Sequence, residues 1–312
     1  MNSITRYIKD FFSKEFSWLY FFCILVLIGW LIYLNYWQGL EKRYAAGGTG
    51  WFRHFAGYYL MYLIPFALAF FIQPLFFKDC NYFSNGWFWA ILLLAPAFFA
   101  FRVNFTFHQF LVFKNFKQPD LRFYFSSINW VVRVFVLLIP VFIVWWLKDR
   151  TIQPFYGSRS LDNIKPYLIM LLIMVPLIAL ASTQNDFLRM YPKAQVINAI
   201  PANTLGGKLK YVIYEVCYGF DFVSIEFFFR GFLVLSLLHI CGPKCIIPAA
   251  CFYCSIHLGK PMGEAISSFF GGLILAIVSY NTGSIWGGLI VHLGIAWLME
   301  IGGWLGHLFK PR

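Results

Sequence analysis

The sequence predicts an all-α integral membrane protein, a polytopic bundle of about eight to nine transmembrane helices. Of its 312 residues, 60% are hydrophobic and only 12% are charged, a composition far from that of a soluble domain. The apolar residues fall into runs of about 20, the length that an α-helix needs to cross the hydrocarbon core. We find no internal repeat, no low-complexity tail and no soluble domain.

Nine apolar runs are candidate spans, and merging the third or the seventh with a neighbour gives eight. Proline inside a run is acceptable where neighbouring helices cover the freed backbone groups. The first run follows Arg6, Lys9 and Lys14, is longer than a signal-peptide core and lacks a cleavage site, so we expect a retained span. In order, the runs are 16–36, 55–77, 87–101, 128–147, 166–182, 211–241, 245–258, 264–280 and 284–303.

The charge and the cysteines point to membrane packing. The net charge is +12, but the basic residues are spread between apolar runs as interfacial anchors, so we expect no nucleic-acid partner. Most of the seven cysteines lie within apolar runs, where a thiol behaves as a small hydrophobic group. Cys251 and Cys254 have metal-site spacing but no second pair, which favours buried packing.

Polar residues are concentrated in the last third of the chain. The first five runs are aromatic and carry few charges, which is typical of a scaffold. After Lys210, ionisable side chains occur within or beside the apolar runs, which indicates a shared cavity. These are Glu215, Asp221, Glu226, Arg230, His257, Glu264, His292 and Glu300.

Glu226 and Arg230 stand inside one apolar run. On a helix, residues four apart share a face, and a glutamate that precedes an arginine is well oriented to pair with it. Ionisable side chains at membrane depth are costly and often functional. A structural ion pair that joins two helices has the same spacing, so both interpretations remain open.

Two histidines come to similar depth if Gly242 and Pro243 form a turn. At 1.5 Å per residue, Glu226 lies about 24 Å before this turn and His257 about 21 Å after it. His292 lies about 13 Å from Gly283, offset by several ångströms. Small residues at four-residue spacing, such as Ser267 with Gly271, allow close helix packing, and Gly288, His292 and Ala296 follow the same spacing. We therefore expect one acid and two imidazoles around a common hollow.

The order of these residues is similar to that of a known family. Glu226-x-x-x-Arg230-Gly231, then Tyr253-x-x-x-His257, then His292, resembles the CPBP family of intramembrane endopeptidases. This family includes the CAAX prenyl proteases and bacterial bacteriocin-processing and self-immunity relatives, with the pattern Glu-Glu-x-x-x-Arg, Phe-x-x-x-His and His-x-x-x-Asn or Asp. We accordingly divide the chain into an N-terminal scaffold of transmembrane helices, 1–205, and a CAAX-protease-like core, 206–305.

The resemblance implies a hydrolase that cleaves a membrane-anchored protein or peptide with water activated by a glutamate and a histidine. For the variant site of this chain we assign Glu226 as the base, His257 as the residue that positions the water, Arg230 as the residue that orients the carboxylate and His292 as the oxyanion donor. The expected partners are the lipid bilayer and the membrane-associated substrate. The expected location is multi-pass in the plasma membrane, and no cofactor is expected.

Three positions depart from the family pattern. Ile225 replaces the first glutamate, Tyr253 replaces phenylalanine and Ala296 replaces the asparagine or aspartate. The tyrosine is a mild change, whereas the other two remove the usual base and an oxyanion donor. The alternative is therefore a catalytically silent member that acts as a membrane binding or immunity protein. Glu264 and Glu300 are possible replacements for the missing carboxylate.

Two further alternatives concern metal and transport. Zinc needs three protein ligands and an open position, which Glu226, His257 and His292 could supply. No His-Glu-x-x-His helix occurs, and the resemblance favours metal-free chemistry. A transporter is expected to show inverted repeats and broken helices, and the sequence has no repeat.

Overall fold

The chain folds into helices, as the apolar runs predict. The structure, a computed structural model, describes residues 2–161 and 163–309. Within these ranges there is no strand, and Ser158 and Ser284 form an isolated antiparallel β-bridge. The α-helices are α1 Asn2–Lys14, α2 Trp18–Tyr36, α3 Trp51–Phe71, α4 Gly86–Asn104, α5 Phe107–Asn115, α6 Leu121–Val144, α7 Lys165–Ala181, α8 Asn185–Met190, α9 Leu205–Glu226, α10 Ser236–Cys241, α11 Ile246–Ser255, α12 Met262–Thr282 and α13 Trp286–Phe309.

The predicted multi-pass membrane architecture is confirmed. In the described part of the chain, seven helical segments are long and apolar enough to cross a membrane, and α7 is a shorter apolar helix. Each of the nine predicted runs corresponds to a helix. The count differs because the sixth and seventh runs belong to one helical segment, Leu205–Ser255. The division into a scaffold, 1–205, and a core, 206–305, stays a prediction.

Leu205–Ser255 turns back on itself where Gly242 and Pro243 predict a turn. Gly242 has a positive φ of 57°, which glycine adopts without steric cost. On either side, the ring of Phe229 lies 4.9 Å from that of Tyr253, and Cys245 Sγ donates to the carbonyl of Val234. These pairs are those of an antiparallel hairpin centred near residue 241. The hairpin brings α11 beside the residues that follow Glu226.

An aromatic cluster fixes this hairpin against the N-terminal helices. Phe252 of α11 packs on Phe66 of α3, Phe99 of α4 and Phe228, with ring centroids 5.4 to 6.1 Å apart. All four side chains are 3% exposed or less. Such pairs each contribute about 0.5–1.5 kcal/mol beyond the area they bury. The polar residues around Glu226 therefore rest on a rigid apolar base.

The last helix starts inside the bundle. Gly283 ends α12 in the left-handed conformation, with φ 63°. Ile285 N then donates to the carbonyl of Gly157 at 3.0 Å, and Gly157 also lies against the side chain of Leu235. The start of α13 is thus level with Leu235, well inside the hairpin turn at Gly242. From this start α13 packs along α7 and α9.

Candidate active site

Glu226 is the last residue of α9, and its carboxylate is completely buried. A wide helical stretch, Phe227–Leu235, continues the chain with π-type hydrogen bonding. The side chain of Glu226 is 0% exposed and points at α13, where a β-carbon on Gly288 would run into its Oε2 atom. Gly288 therefore makes room for the carboxylate, which explains one of the small residues noted in the sequence.

Arg230 lies one turn further along the same face, and the predicted pairing is present. Its Nε atom is 3.5 Å from Glu226 Oε2, and both side chains are 1% exposed or less. The guanidinium also lies over the Tyr253 ring, with Cζ 4.1 Å from the ring centroid. Glu226 Oε2 and Arg230 Nε and Nη2 have no hydrogen-bond partner among the described residues. The pair thus keeps hydrogen-bonding capacity that a saturated structural ion pair lacks.

His292 on α13 joins this pair through both ring nitrogens. Nδ1 is 2.8 Å from Glu226 Oε1, and Nε2 is 3.0 Å from the hydroxyl oxygen of Tyr253. An ionised carboxylate only accepts hydrogen bonds, so Nδ1–H is the donor. In the neutral ring, Nε2 then carries a lone pair and accepts from the tyrosine hydroxyl. The result is a hydrogen-bonded chain from Glu226 through His292 to Tyr253.

Within the described residues, His257 is linked to this hydrogen-bonded chain through Tyr253. It follows the end of α11, is half-buried, and its Nδ1 is 2.8 Å from the Tyr253 carbonyl oxygen. Its ring centroid is 4.6 Å from that of Tyr253. Burial lowers the pKa of His257 to about 4, although the carboxylate of Glu264 acts in the opposite direction. The ring is therefore neutral near pH 7, and because Nδ1–H donates to the carbonyl, Nε2 carries the lone pair.

The surrounding region matches a family of proteases. Residues 212–298 match the family model described as Rce1-like, type II CAAX prenyl endopeptidase. This part of the chain is therefore similar to that family, and we call residues 212–298 the Rce1-like region. The match agrees with the resemblance drawn from the motifs, and it contains Glu226, Arg230, Tyr253, His257 and His292. No curated protein and no solved structure matches the chain.

Glu264 and Glu300, the two alternative carboxylates, bond to residues other than His292. Glu264, in the first turn of α12, accepts from the Tyr191 hydroxyl at 3.0 Å and pairs with Lys260 at 3.2 Å. Glu300, just beyond the matched range, accepts from the backbone N–H groups of Lys193 at 2.7 Å and Ala194 at 3.2 Å. Both carboxylates anchor the segment that leads into α9, and neither bonds to His292.

The departures at Ile225 and Ala296 place buried apolar side chains in the Rce1-like region. Ile225 is 7% exposed and Ala296 is 3% exposed. Neither side chain brings a polar atom to the site. The residue that sequence reasoning undervalued is Tyr253, whose hydroxyl binds His292. The signal that could have found it is the departure itself, because tyrosine differs from phenylalanine only by that hydroxyl.

The side chains of the site do not fit a zinc ion. Zinc requires at least three protein ligands around one point. Across residues 2–161 and 163–309, no group of three or more histidine, cysteine, aspartate or glutamate side chains is placed to hold a metal. Glu226 bonds to the His292 ring with one carboxylate oxygen and faces Arg230 with the other, so it is not placed as the third ligand of an ion.

Proposed function

We propose that this protein is an intramembrane endopeptidase that hydrolyses a peptide bond in a membrane-associated protein or peptide. The observation that carries the proposal is the buried contact between Glu226 and His292 within the Rce1-like region. A carboxylate that is 0% exposed, beside an imidazole and an arginine, is costly inside a membrane protein. A catalytic role gives a reason to maintain it.

The hydrogen bonds favour His292 as the group that takes a proton from water. Its Nδ1–H is held by Glu226, so the Nε2 lone pair is directed away from the carboxylate. A carboxylate behind an imidazole fixes its tautomer and stabilises the imidazolium that forms when the other nitrogen takes a proton. Glu226 then acts through His292 and does not touch the water itself, and Arg230 holds the carboxylate in place. This differs from the sequence-based expectation, in which Glu226 is the base and His292 stabilises the oxyanion.

His257 is suited to position the attacking water. Its Nε2 has no hydrogen-bond partner in the described part of the chain, and a neutral ring accepts a hydrogen bond there. A water that donates one hydrogen to His292 Nε2 and the other to His257 Nε2 is oriented with its oxygen lone pair free. Such orientation is worth several kcal/mol in rate.

The surroundings of the site restrict the substrate to molecules that enter the bilayer. Glu226 and His292 lie within the candidate membrane spans Leu205–Ser255 and Trp286–Phe309. A peptide anchored in the membrane reaches this depth, whereas a soluble protein would have to cross the headgroup region. We propose such an anchored substrate and a plasma-membrane location, and the site by itself does not specify a prenyl group.

The test is hydrolysis by the purified protein in lipid vesicles. Membrane-anchored peptides with a fluorophore and quencher either side of the scissile region report cleavage. We expect wild type to cleave and Glu226→Gln to lose activity by on the order of 10⁴-fold, because the tautomer of His292 is no longer fixed. Glu215→Gln is the matched control, since Glu215 lies on the same helix with an unpartnered Oε2 atom.

A silent binding protein is the second candidate, and Ile225 is the observation that favours it. A buried isoleucine stands where the family pattern has its first glutamate. If wild type cleaves none of a broad panel of anchored peptides faster than Glu226→Gln, the endopeptidase proposal is wrong. Capture of an anchored peptide without cleavage would then support the binding role.

A further inference from the structure

The hydroxyl of Tyr253 ends the hydrogen-bonded chain that begins at Glu226. It lies 3.0 Å from His292 Nε2, the nitrogen whose lone pair the proposed hydrolysis uses. Within the described residues, the Tyr253 hydroxyl bonds to His292, whereas His257 bonds to a backbone carbonyl. The hydroxyl therefore lies directly beside the nitrogen that the proposed hydrolysis uses as its base.

The Tyr253 ring is held firmly on all sides. A β-carbon on Gly272 would lie 2.9 Å from its Cδ1 atom, so α12 packs directly against the ring. Phe229 meets it edge to face at 4.9 Å, and the Arg230 guanidinium covers one ring face. The two imidazoles have centroids 4.6 and 5.9 Å away. A hydroxyl on such a ring is placed with little freedom, as a catalytic donor requires.

Neither the two histidines nor the residue one turn beyond His292 supplies a hydrogen-bond donor to a substrate oxygen. One turn beyond His292 on α13 is Ala296, which has no polar side-chain atom and is 3% exposed. His292 donates its own Nδ1–H to Glu226, and His257 donates its Nδ1–H to a carbonyl. In their neutral forms neither imidazole has an N–H left for a substrate oxygen.

We propose that the Tyr253 hydroxyl donates the hydrogen bond that stabilises the oxyanion during peptide hydrolysis, a role that rests on the proposed endopeptidase function. In the free protein the hydroxyl donates to His292 Nε2. When substrate and water enter, the water takes over this nitrogen and the hydroxyl turns to the carbonyl oxygen of the scissile bond. The base and the oxyanion donor need to be adjacent, because the attacking water oxygen and the carbonyl oxygen become bound to the same tetrahedral carbon.

The proton and electron balance of the step is complete. The water oxygen forms a bond to the carbonyl carbon, its proton passes to His292 Nε2, and the π electrons move to the carbonyl oxygen beside Tyr253. On collapse the C=O bond reforms, the C–N bond breaks, and the leaving nitrogen takes the proton from His292. The products are a carboxylic acid and an amine, and nothing is oxidised or reduced.

The experiment uses the full-length protein in vesicles with an anchored peptide that wild type cleaves. Tyr253→Phe removes only the hydroxyl, and we expect kcat to fall on the order of 10²–10³-fold with KM nearly unchanged, as for loss of one oxyanion donor. Tyr20→Phe is the control, because it also removes a buried hydroxyl, hydrogen-bonded to Ala69 O at 2.8 Å, far along the chain from the site. Melting temperatures are recorded for every variant.

A rescue variant separates catalysis from packing. Ala296→Asn in the Tyr253→Phe background places an amide N–H donor one turn from His292, and recovery of kcat by at least tenfold would support the proposal. Wild-type kcat in Tyr253→Phe would overturn it while leaving the endopeptidase function intact. Failure of wild type itself to cleave any anchored peptide would instead remove the endopeptidase function, and the role of Tyr253 with it.

Discussion

His292 Nδ1 lies 2.8 Å from Glu226 Oε1, although 66 residues separate them in the chain. The contact joins α13 to the end of α9 at a point where Gly288 leaves space for the carboxylate. Arg230 approaches the same carboxylate from the other side. One buried acid is thus shared between a cation on its own helix and an imidazole on another, which couples the packing of the two helices to the chemistry of the site.

Removing one charge of the Glu226–Arg230 pair should cost more stability than removing both. Both side chains are 1% exposed or less, and a single buried charge left without its partner costs about 3–5 kcal/mol. We expect Glu226→Gln and Arg230→Met each to lower the melting temperature and the double variant to recover much of the loss. Thermal unfolding in one detergent measures the coupling. Additive losses would show that the two charges do not interact.

The double variant also separates stability from catalysis. Glu226→Gln with Arg230→Met keeps the charge of the site balanced but has no carboxylate behind His292. We expect it to be well folded and as inactive as Glu226→Gln alone. Activity near that of wild type in this variant would mean that the carboxylate is structural.

Gly288→Ala should reduce catalysis more than stability. The added β-carbon would meet Glu226 Oε2, and a displacement of about 1 Å in a catalytic group costs on the order of 10²-fold in rate. Alanine also favours the helix by about 1 kcal/mol over glycine, which offsets part of the clash. The measurements are kcat and the melting temperature.

Gly271→Ala is the matched control for this substitution. Gly271 is a glycine of α12 with open space where its β-carbon would be. We expect unchanged kcat and equal or higher stability. An equal loss of activity in both glycine variants would point to a general effect on helix packing and away from the carboxylate.

The fold was predictable because apolar runs of membrane length have few alternatives. The turn at Gly242, the end of α12 at Gly283 and the pairing of Glu226 with Arg230 all follow from local spacing. The depth of His292 does not follow from local spacing, because a distance counted from Gly283 places His292 correctly only if Gly283 and Gly242 lie at one level. Gly157 instead holds the start of α13 level with Leu235, about 10 Å deeper, which removes the apparent offset from Glu226.

The partners of each side chain were less predictable than their depth. Which nitrogen of His292 faces Glu226, and the link through Tyr253, depend on helix rotation that spacing along one chain does not fix. His257 shows the same limit: its depth agrees with that of Glu226, yet its ring bonds to the carbonyl one turn before it. The motif residues follow from the sequence, whereas their hydrogen bonds depend on how the helices pack.

The stability of the protein should depend on pH through His257. Burial lowers its pKa from 6.5 to about 4 in the folded chain, so between these values the unfolded chain binds a proton that the folded chain does not. Stability is therefore full above about pH 6.5 and is lost as the pH falls toward 4. We expect the melting temperature to fall between pH 7 and pH 5, and to fall less in His257→Asn. Identical pH dependence in the two proteins would contradict this origin.

Glu264→Gln tests whether another carboxylate has taken over the position lost at Ile225. Glu264 is 16% exposed, pairs with Lys260 at 3.2 Å and accepts from Tyr191. Because Lys260 is 31% exposed, we expect the loss of the Glu264–Lys260 ion pair to cost only about 1 kcal/mol of stability. We expect kcat to stay within a fewfold of wild type. The comparison is with Glu226→Gln in the same vesicle assay. If Glu264→Gln is the inactive variant and Glu226→Gln the active one, the base lies on α12 beside His257, and the buried acid of α9 only joins helices.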